Sequence, residues 1–406
     1  LQGDVGSGKT IVALTSMLIA VDNGFQACLM APTAILSVQH YHGLSDLCKE
    51  LKLSISLLQG STKASKRREI HEKLENGTID ILIGTHALLE DKVKFKNLGL
   101  AIIDEQHRFG VAQRSKLWYK NTYPPHVLVM TATPIPRTLA MSVYGDLDIS
   151  IIDELPPGRK DIKTVHRFDA NRLKVFRFIR DEITKGRQVY IVYPLIQESE
   201  TLDYKDLMDG YESIVREFPM PKYQVSIVHG KMKPADKEFE MNRFIKKETQ
   251  IMVATTVIEV GVNVPNASVM IIESAERFGL SQLHQLRGRV GRGAEQSYCI
   301  LMTSHKLSAD AKTRLETMTR TSDGFEIAEV DLKLRGPGDL MGTQQSGVLN
   351  LRIADIVRDS EILKIARSYA FEVLKQDPYL SEEDNLPIKS TLEQLMKYKN
   401  IWNYIS

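Results

Sequence analysis

Short apolar segments and longer amphipathic segments alternate along the first three hundred residues of the chain. The apolar segments are four to six residues long, which is typical of strands buried in a parallel sheet. The segments between them carry apolar residues at helical spacing. This alternation predicts an α/β fold in which helices cover both faces of mostly parallel sheets. The predicted strands are 26–30, 54–58, 80–83, 98–103, 127–130, 189–193, 225–228, 250–254, 269–272 and 298–302. The predicted helices of this region are 11–20, 35–51, 63–75 and 234–247.

Residues 155–159, with the sequence Leu-Pro-Pro-Gly-Arg, interrupt this alternation. Two prolines and a glycine disfavour both a helix and a central strand, so the segment is suited to join two domains. A second alternating set follows it, and the last hundred residues have a mainly helical pattern. The sequence predicts a first lobe at 1–155, a second lobe at 156–305, a helical hairpin and loop at 306–350, and C-terminal helices at 351–406.

Residues 3–10 read GDVGSGKT and match G-x-x-x-x-G-K-[ST], the loop that wraps the phosphates of a nucleoside triphosphate. Its glycines let successive backbone N–H groups point at phosphate oxygens, and Lys9 adds a charge that reaches the β- and γ-phosphates. The Thr10 hydroxyl is placed to bind Mg²⁺. The alternative is a glycine-rich turn before an ordinary helix. The residues expected to hold ATP here are Gly3, Asp4, Gly6, Ser7, Gly8, Lys9 and Thr10.

An acidic pair, Asp104-Glu105, follows the predicted buried strand at 98–103. In the same lobe as a phosphate loop, Asp104 is expected to bind the nucleotide's Mg²⁺ through its water shell, and Glu105 to deprotonate the attacking water. The alternative is two acids that cap a strand end at the surface. Thr131 and Thr133 follow the next predicted strand, where their hydroxyls are expected to relay the state of the γ-phosphate; the alternative is an ordinary strand exit.

Composition narrows the class of protein without deciding its function. At 406 residues the chain is long enough for two or three domains, and 43% hydrophobic with 26% charged residues is usual for a soluble globular protein. The net charge of +2 neither indicates nor excludes a nucleic-acid partner. Cys28, Cys48 and Cys299 are far apart and indicate buried free thiols in a reducing compartment. No apolar stretch has the length of a membrane span.

The chain starts two residues before Gly3, although a strand normally leads into a phosphate loop. The first strand of the lobe, and whatever preceded it, are therefore expected to be missing. No targeting signal can be inferred from such a start.

Four motifs in chain order carry a resemblance to a known family: GKT at 8–10, APT at 31–33, DEQH at 104–107 and TAT at 131–133. Together they resemble the helicases of the second superfamily. The resemblance implies two RecA-like lobes with ATP between them. No second phosphate-loop motif appears in 156–305, and this asymmetry resembles the two lobes of such a helicase.

Residues 285–292, QLRGRVGR, fit the superfamily motif Q-x-x-G-R-x-G-R. The resemblance implies that Arg289 and Arg292 stabilise charge on the transferred phosphoryl group, with Arg292 as the favoured arginine finger. It implies that Gln285 contacts phosphate or water. The alternative is a basic, glycine-broken helix end that binds solvent or RNA.

The segment 255–265 resembles the motif that couples ATP to nucleic acid, and it places Gly261 and Asn263 at the nucleotide. Many members of the superfamily carry an acid where Asn263 stands. Asparagine can still form a hydrogen bond with a ribose hydroxyl, but that contact then carries no charge.

Longer stretches resemble a small group that contains RecG, the branch-migrating DNA helicase, and the transcription-repair coupling factor. These stretches are 104–111, 131–139 and the glycine-rich loop at 334–347, which follows two predicted hairpin helices. Gly-Pro-Gly-Asp in the loop, and Gln-His after Asp-Glu, favour the RecG family. By analogy, Arg314 on the hairpin and Gln345 in the loop link closure of the motor to movement of duplex DNA.

The resemblance implies an ATP-dependent double-stranded DNA translocase and helicase that remodels branched DNA, such as stalled replication forks and Holliday junctions, in recombination and repair. It implies a cytoplasmic, nucleoid-associated bacterial monomer that uses ATP and Mg²⁺, contacts no membrane and has a single-strand-binding protein as a further partner. The residues expected to contact DNA phosphates or to couple DNA to ATP, besides Arg314 and Gln345, are Thr33, Thr85, His86, Thr131, Thr133, Thr255 and Thr256.

Three other functions stay open at this point. The first is the motor of the transcription-repair coupling factor, and the second is a nucleotide-gated DNA-binding scaffold without turnover. An RNA helicase is less favoured, because that class lacks the hairpin and loop. Since the RecG family carries a wedge domain ahead of its motor, this chain is expected to hydrolyse ATP but to unwind junctions poorly.

Overall fold

The computed structural model describes residues 1–105, 117, 120–121, 123–132, 148–154, 160–194, 200–255, 264–291, 293, 295–339 and 359–398. They form two compact units. The first covers the described part of Leu1–Pro134 and Ile151–Ile327, and the second covers the described part of Ile135–Ser150 and Ala328–Ser406.

The strands and helices follow one another in the alternation that the sequence predicts. In chain order they are β1 (Gln2–Gly3), α1 (Lys9–Asp22), β2 (Gln26–Met30), α2 (Ala34–Glu50), β3 (Ile55–Leu58), α3 (Ala64–Glu75), β4 (Ile81–Gly84), β5 (Leu98–Asp104), β6 (His126–Met130), β7 (Ile151–Ile152), β8 (Lys163–Phe168), α4 (Arg172–Thr184), β9 (Gln188–Tyr193), α5 (Glu200–Glu217), β10 (Val225–Val228), α6 (Pro234–Ile245), β11 (Ile251–Thr255), β12 (Ala267–Ile272), α7 (Leu280–Arg287), β13 (Tyr298–Thr303), α8 (Ala309–Arg320), α9 (Gly324–Asp339), α10 (Ser360–Gln376) and α11 (Leu386–Tyr398).

The first sheet has five parallel strands in the order β3-β4-β2-β5-β6. Its central strand β2 is buried along its whole length. Cys28 and Met30 enter one apolar cluster, while Ala27 and Leu29 enter another on the opposite face. Alternate residues of a strand point to opposite faces, so helices cover this sheet on both sides.

A short strand at the start of the chain leads into the phosphate-loop pattern. Gln2–Gly3 pair in parallel with Ile151–Ile152, and Gln2 also forms a bridge with Thr131 at the end of β6. Two residues are too few to show an alternating pattern, so the sequence could not indicate this strand.

The second sheet has six parallel strands in the order β10-β11-β9-β12-β13-β8. Its strand β8 was missed because its sequence, KTVHRF, mixes charged and apolar residues. β8 lies at the sheet edge, with its six residues partly or fully exposed, and an edge position tolerates such a mixture. The predicted linker at 155–159 lies outside the described residues.

The two sheets repeat one plan, since the order β3-β4-β2-β5-β6 returns as β10-β11-β9-β12-β13. Each central strand begins with a buried glutamine whose amide ties down neighbouring backbone. Nε2 of Gln188 donates to the carbonyls of Phe244 and Thr249, both at 2.7 Å. Gln26 plays the same part at the start of β2.

Replacing Gln26 with leucine should destabilise the first unit by about 3 kcal/mol, because buried polar groups would lose their partners. Nε2 of Gln26 donates to the carbonyls of Leu74 (3.0 Å) and Ile79 (2.7 Å), and Oε1 accepts from the backbone N–H groups of Lys96 (2.8 Å) and Asn97 (3.0 Å). Urea unfolding followed by circular dichroism measures the loss. The exposed Gln376→Leu variant is the control, and equal midpoints for the two variants would contradict the prediction.

Helices α8 and α9 occupy the predicted hairpin, and α10 and α11 confirm the helical pattern of the C-terminal region. The four proposed domains stay predictions; the two compact units group the residues differently. Cys28, Cys48 and Cys299 are buried free thiols, as expected. Within the described part of the chain, no helix combines the length and the apolar character needed to cross a membrane.

Candidate active site

The loop between β1 and α1 has the backbone shape that the phosphate-loop pattern predicts. Gly6 and Gly8 have φ angles of 79° and 99°, which residues with side chains rarely adopt. A Cβ on Gly3 would lie 2.6 Å from Ser7 Oγ, too close for two unbonded atoms. The backbone N–H of Ser7 donates to the carbonyl of Asp4 at 3.1 Å and closes a turn. The fold of the loop therefore requires its glycines.

The polar groups of this loop fit a phosphate. Lys9 Nζ donates to the carbonyl oxygens of Gly3 and Asp4, each at 2.8 Å, so its ammonium group lies against the loop. Ser7 Oγ is buried and has no hydrogen-bond partner among the residues that the structure describes. Thr10 is exposed on the first turn of α1, where the helix carries a partial positive charge. An ammonium group, an unsatisfied hydroxyl and a helix start together suit an anion.

Asp104 is the last residue of β5, in the same lobe as the phosphate loop, and it is buried. Its Oδ2 lies 2.8 Å from Nε2 of His40, a buried residue of α2. A hydrogen bond of this kind fixes the plane of a carboxylate, as outer partners do for carboxylates that bind metals.

Glu105 has a left-handed backbone conformation, with a φ of 52°, and its Oε2 accepts a hydrogen bond from the backbone N–H of Ala132 at 3.3 Å. Burial raises the pKa of Glu105, and the adjacent Asp104 carboxylate raises it further. The positive charges of Arg289 and Lys9 and the Ala132 hydrogen bond oppose this shift only in part. Glu105 therefore holds a proton more tightly than an ordinary glutamate does.

Residues of the second lobe meet the phosphate loop at the carboxyl end of α7. Gln285 and Arg289 are both buried, and the charge of Arg289 acts on Glu105 across the two lobes. A Cβ on Gly288 would lie 2.9 Å from the Cβ of Val5, so the backbone after α7 lies directly against the loop. The two lobes of the first unit thus share one site.

The donor set suits Mg²⁺ bound together with a nucleotide. No cluster of three or more His, Cys, Asp or Glu side chains that could hold a metal by itself occurs within the described ranges. Mg²⁺ in phosphoryl-transfer sites is held by one or two protein oxygens and by substrate phosphates, so it needs no such cluster. The Asp104 carboxylate and the Thr10 hydroxyl provide hard oxygen ligands of this kind.

The residues expected to contact DNA lie at the carboxyl ends of strands or just beyond them. Thr33 caps α2 by accepting from the backbone N–H of Leu36 at 3.3 Å, and Thr85 lies before a 3₁₀ turn that begins with the exposed His86. Thr255 ends β11, and its buried Oγ1 has no hydrogen-bond partner among the described residues. Thr131 is buried where β6 meets β1.

Arg314 binds carbonyl oxygens of the turn Ala275–Arg277 and its neighbour, rather than projecting into solvent. Its Nη2 donates to Glu276 O at 3.1 Å, and its Nη1 donates to Phe278 O. Arg314 therefore ties α8 to the second lobe. The remaining predicted site residues lie outside the described residues; they are Thr133, Thr256, Gly261, Asn263, Arg292 and Gln345.

Sequence reasoning missed three side chains that contact this site or its loop. His40 contacts Asp104, His284 contacts Asp4, and Arg287 contacts His284. Arg287 lies within the QLRGRVGR motif and His284 directly precedes it, so their place in the sequence could have indicated that they belong to the site. His40 lies 64 residues from Asp104 on an ordinary amphipathic helix, and nothing in its local pattern marks it.

Three family models match the chain. Residues 1–142 match the DEAD/DEAH box helicase model, and residues 172–294 match the helicase conserved C-terminal domain. Residues 321–406 match the model for the C-terminal part of domain 3 of the ATP-dependent DNA helicase RecG. Among curated proteins, the ATP-dependent DNA helicase RecG of Synechocystis is 53% identical over 389 residues, which is 96% of this chain and 46% of the relative.

The chain belongs to the RecG family. It spans about half the length of the RecG relatives it matches. A solved structure of RecG bound to a three-way DNA junction is 44% identical, with a TM-score of 0.73, and the match covers 90% of this chain and 47% of that one. The family explains why the phosphate loop, the acidic pair and α7 converge in the first unit.

A more distant solved structure shares the predicted fold as well. The Mycobacterium smegmatis helicase Lhr matches with a TM-score of 0.57 at 19% identity, over 78% of this chain and 46% of that one. At such low identity, the match shows only that the two chains share a fold. Two RecA-like lobes with parallel sheets are therefore the fold of this RecG-family chain.

Proposed function

We propose that this chain is an ATP-hydrolysing motor that moves along double-stranded DNA and remodels branched DNA. The observation that carries the proposal is the shared site of the first unit. His284 of the second lobe lies 3.0 Å from Asp4 of the phosphate loop, and the charge of Arg289, five residues further on, lowers the pKa of Glu105. The similarity to a RecG structure that is bound to a three-way DNA junction supports branched DNA as the substrate.

In this proposal each side chain has one task at the phosphates. Lys9 and the loop amides bind the β- and γ-phosphates, and Glu105 accepts the proton of the attacking water. Arg289 stabilises the negative charge that develops on the transferred phosphoryl group. Thr10 and Asp104 would hold Mg²⁺, which supplies a positive charge that offsets that of the phosphates. Arg292 remains a proposed second arginine.

The same geometry supports coupling of hydrolysis to movement. Arg289 and Gln285 belong to the second lobe, while the phosphate loop belongs to the first. ATP and its hydrolysis products offer them different contacts, so each cycle changes the interactions that hold the two lobes together. The DNA-contact role of the threonines, of His86 and of Gln345 belongs to this proposal. So do a monomeric state, a cytoplasmic location and a single-strand-binding protein as partner.

The raised pKa of Glu105 predicts how the rate depends on pH. A general base works only when it is deprotonated, so hydrolysis is lost as the pH falls through its pKa. Because burial and Asp104 raise that pKa in the free chain, we expect the acid limb of kcat/KM for ATP at a higher pH than an ordinary glutamate would give. The measurement is kcat/KM for ATP between about pH 4.5 and 8, a range that starts near the pKa of an ordinary glutamate. An acid limb at the ordinary glutamate value would contradict the assignment.

The experiment that tests the proposed function is the steady-state ATPase rate with a panel of nucleic acids. The panel contains no nucleic acid, single-stranded DNA, linear duplex, a four-way junction and duplex RNA, with Glu105→Gln as the inactive control. Strongest stimulation by the junction or the duplex, absent in the control, is the expected result.

Each other outcome favours a different function. Stimulation by RNA alone would favour an RNA helicase. Tight DNA binding with a flat ATPase response would favour a nucleotide-gated scaffold. Stimulation by linear duplex with no gain from branching would favour a motor that acts on a duplex-bound protein, as in the transcription-repair coupling factor.

A further inference from the structure

His284 lies between two charged groups of opposite sign inside the first unit. Its Nε2 is 3.0 Å from Asp4 Oδ1 in the phosphate loop, and its Nδ1 is 2.9 Å from Nη2 of Arg287. A guanidinium group only donates hydrogen bonds and a carboxylate only accepts them. The imidazole must therefore accept at Nδ1 and donate from Nε2, which makes the three side chains one directed chain of hydrogen bonds.

Arg287 continues this chain into the connection between α8 and α9. Its Nη1 donates to the carbonyl oxygens of Met318 (3.1 Å) and Thr321 (2.8 Å), and its Nη2 donates to that of Ser322 (3.2 Å). These carbonyls belong to the last turn of α8 and the residues that follow it, where a positive charge is favoured. Arg287 is 3% exposed, so the guanidinium group is committed to these partners and not to water.

Asp4 makes the chain sensitive to the state of the phosphate loop. Its carbonyl oxygen accepts from Lys9 Nζ at 2.8 Å, while its side chain accepts from His284. The hydrogen bond from His284, together with the positive charges of Arg287 and Lys9, outweighs the effect of burial and holds the pKa of Asp4 below its usual value. The loop residue thus stays an anion that holds both a loop lysine and a residue of the second lobe.

If Arg287 only stabilised the α8–α9 connection, its three contacts with carbonyl oxygens would be enough. The same guanidinium group also donates to His284, which binds the phosphate loop, and stabilisation of the connection does not account for that contact. Packing of Gly288 against the Val5 side chain already holds the two surfaces together. The hydrogen bonds of Asp4, His284 and Arg287 add a second, polar connection, which runs from the phosphate loop to the α8–α9 connection.

We propose that Asp4, His284 and Arg287 form a relay that transmits movement of the phosphate loop to the α8–α9 connection. The relay rests on the proposed function, and its residues act by positioning others. When Lys9 moves onto a phosphate, the Asp4 carbonyl loses the hydrogen bond from Lys9 and keeps the one from the Ser7 N–H group. The loop around Asp4 can then shift, and His284 and Arg287 shift with it. Loss of the relay should leave ATP hydrolysis largely intact while it reduces the DNA movement obtained per ATP.

The decisive variants differ at His284 alone. His284→Leu fills the same space without polar atoms, whereas His284→Gln keeps one donor and one acceptor. Third-strand displacement from a linear duplex measures translocation, and phosphate release in the same sample measures ATP hydrolysis. For His284→Leu we expect displacement per ATP to fall about tenfold, a typical size for coupling between two sites. His284→Gln should recover to within about threefold of the unchanged chain.

Two further measurements separate a relay from simple damage. Thermal melting must show that His284→Leu is folded, and the exposed His42→Leu variant is the matched control. Arg287→Lys keeps a charge but cannot bridge histidine and three carbonyls. Combined with His284→Leu it should be no worse than the poorer single variant, because both break the same chain.

The outcomes are distinguishable. If the unchanged chain displaces no third strand, the proposed function falls, and the relay falls with it. If the unchanged chain moves DNA but His284→Leu keeps the same displacement per ATP, the relay alone is wrong. Equal loss of hydrolysis and displacement in His284→Leu would also overturn it and would place His284 among the residues that support catalysis.

Discussion

The Glu105→Gln variant should lose about a thousandfold in kcat for DNA-stimulated ATP hydrolysis, the range that a positioned general base supplies. Glutamine has the same shape and still accepts the hydrogen bond from the Ala132 N–H group, but it cannot take a proton from water. The phosphate loop is untouched, so nucleotide affinity should change by less than about threefold. Phosphate release gives kcat, and a fluorescent ATP analogue gives the affinity.

The control for this variant is Glu50→Gln, which removes an exposed carboxylate at the end of α2. It should hydrolyse ATP at the unchanged rate. A Glu105→Gln variant that keeps more than about a tenth of the activity would assign the base to another group, since general bases contribute at least about a hundredfold.

The fold followed from the sequence wherever a strand was buried on both faces. β5, for example, is a continuous apolar run that ends in an acid, and the structure buries six of its seven residues. β8 could not be found in this way, because an edge strand tolerates charged residues such as Lys163 and Arg167, which break the apolar pattern. β1 was too short to leave a pattern, and its pairing with β7 and its bridge to Thr131 define it. Tertiary contacts, not local preferences, create both elements.

The sequence predicted the candidate site only where its residues form contiguous motifs. The loop at residues 3–10 and the pair Asp104-Glu105 are visible because their spacing is fixed by backbone geometry. The contacts of Asp104 with His40, and of Asp4 with His284, join residues 64 and 280 positions apart. No local pattern encodes such pairs, since the folding of two sheets brings them together. The motifs therefore indicate which residues act on the nucleotide, while the fold shows that His40 and His284 position them.

The Arg289→Ala variant should lower DNA-stimulated kcat by about a thousandfold, the lower end of what an arginine at a phosphoryl-transfer site contributes. Arg289 is 3% exposed, and its charge acts on Glu105 across the lobes, so its removal deprives the site of a preorganised cation. Arg289→Lys should recover little, because an ammonium group lacks the planar fork of guanidinium. The exposed Arg216→Lys variant is the matched control.

A second readout separates this role from a structural one. Arg289 lowers the pKa of Glu105, so removing its charge should raise that pKa and move the acid limb of the residual activity to higher pH. Arg289→Lys keeps a positive charge and should leave the limb closer to its original position. If Arg289→Ala reduces kcat but the acid limb stays in place, Arg289 does not face Glu105 during hydrolysis. The proposed arginine of the site would then be Arg292 alone.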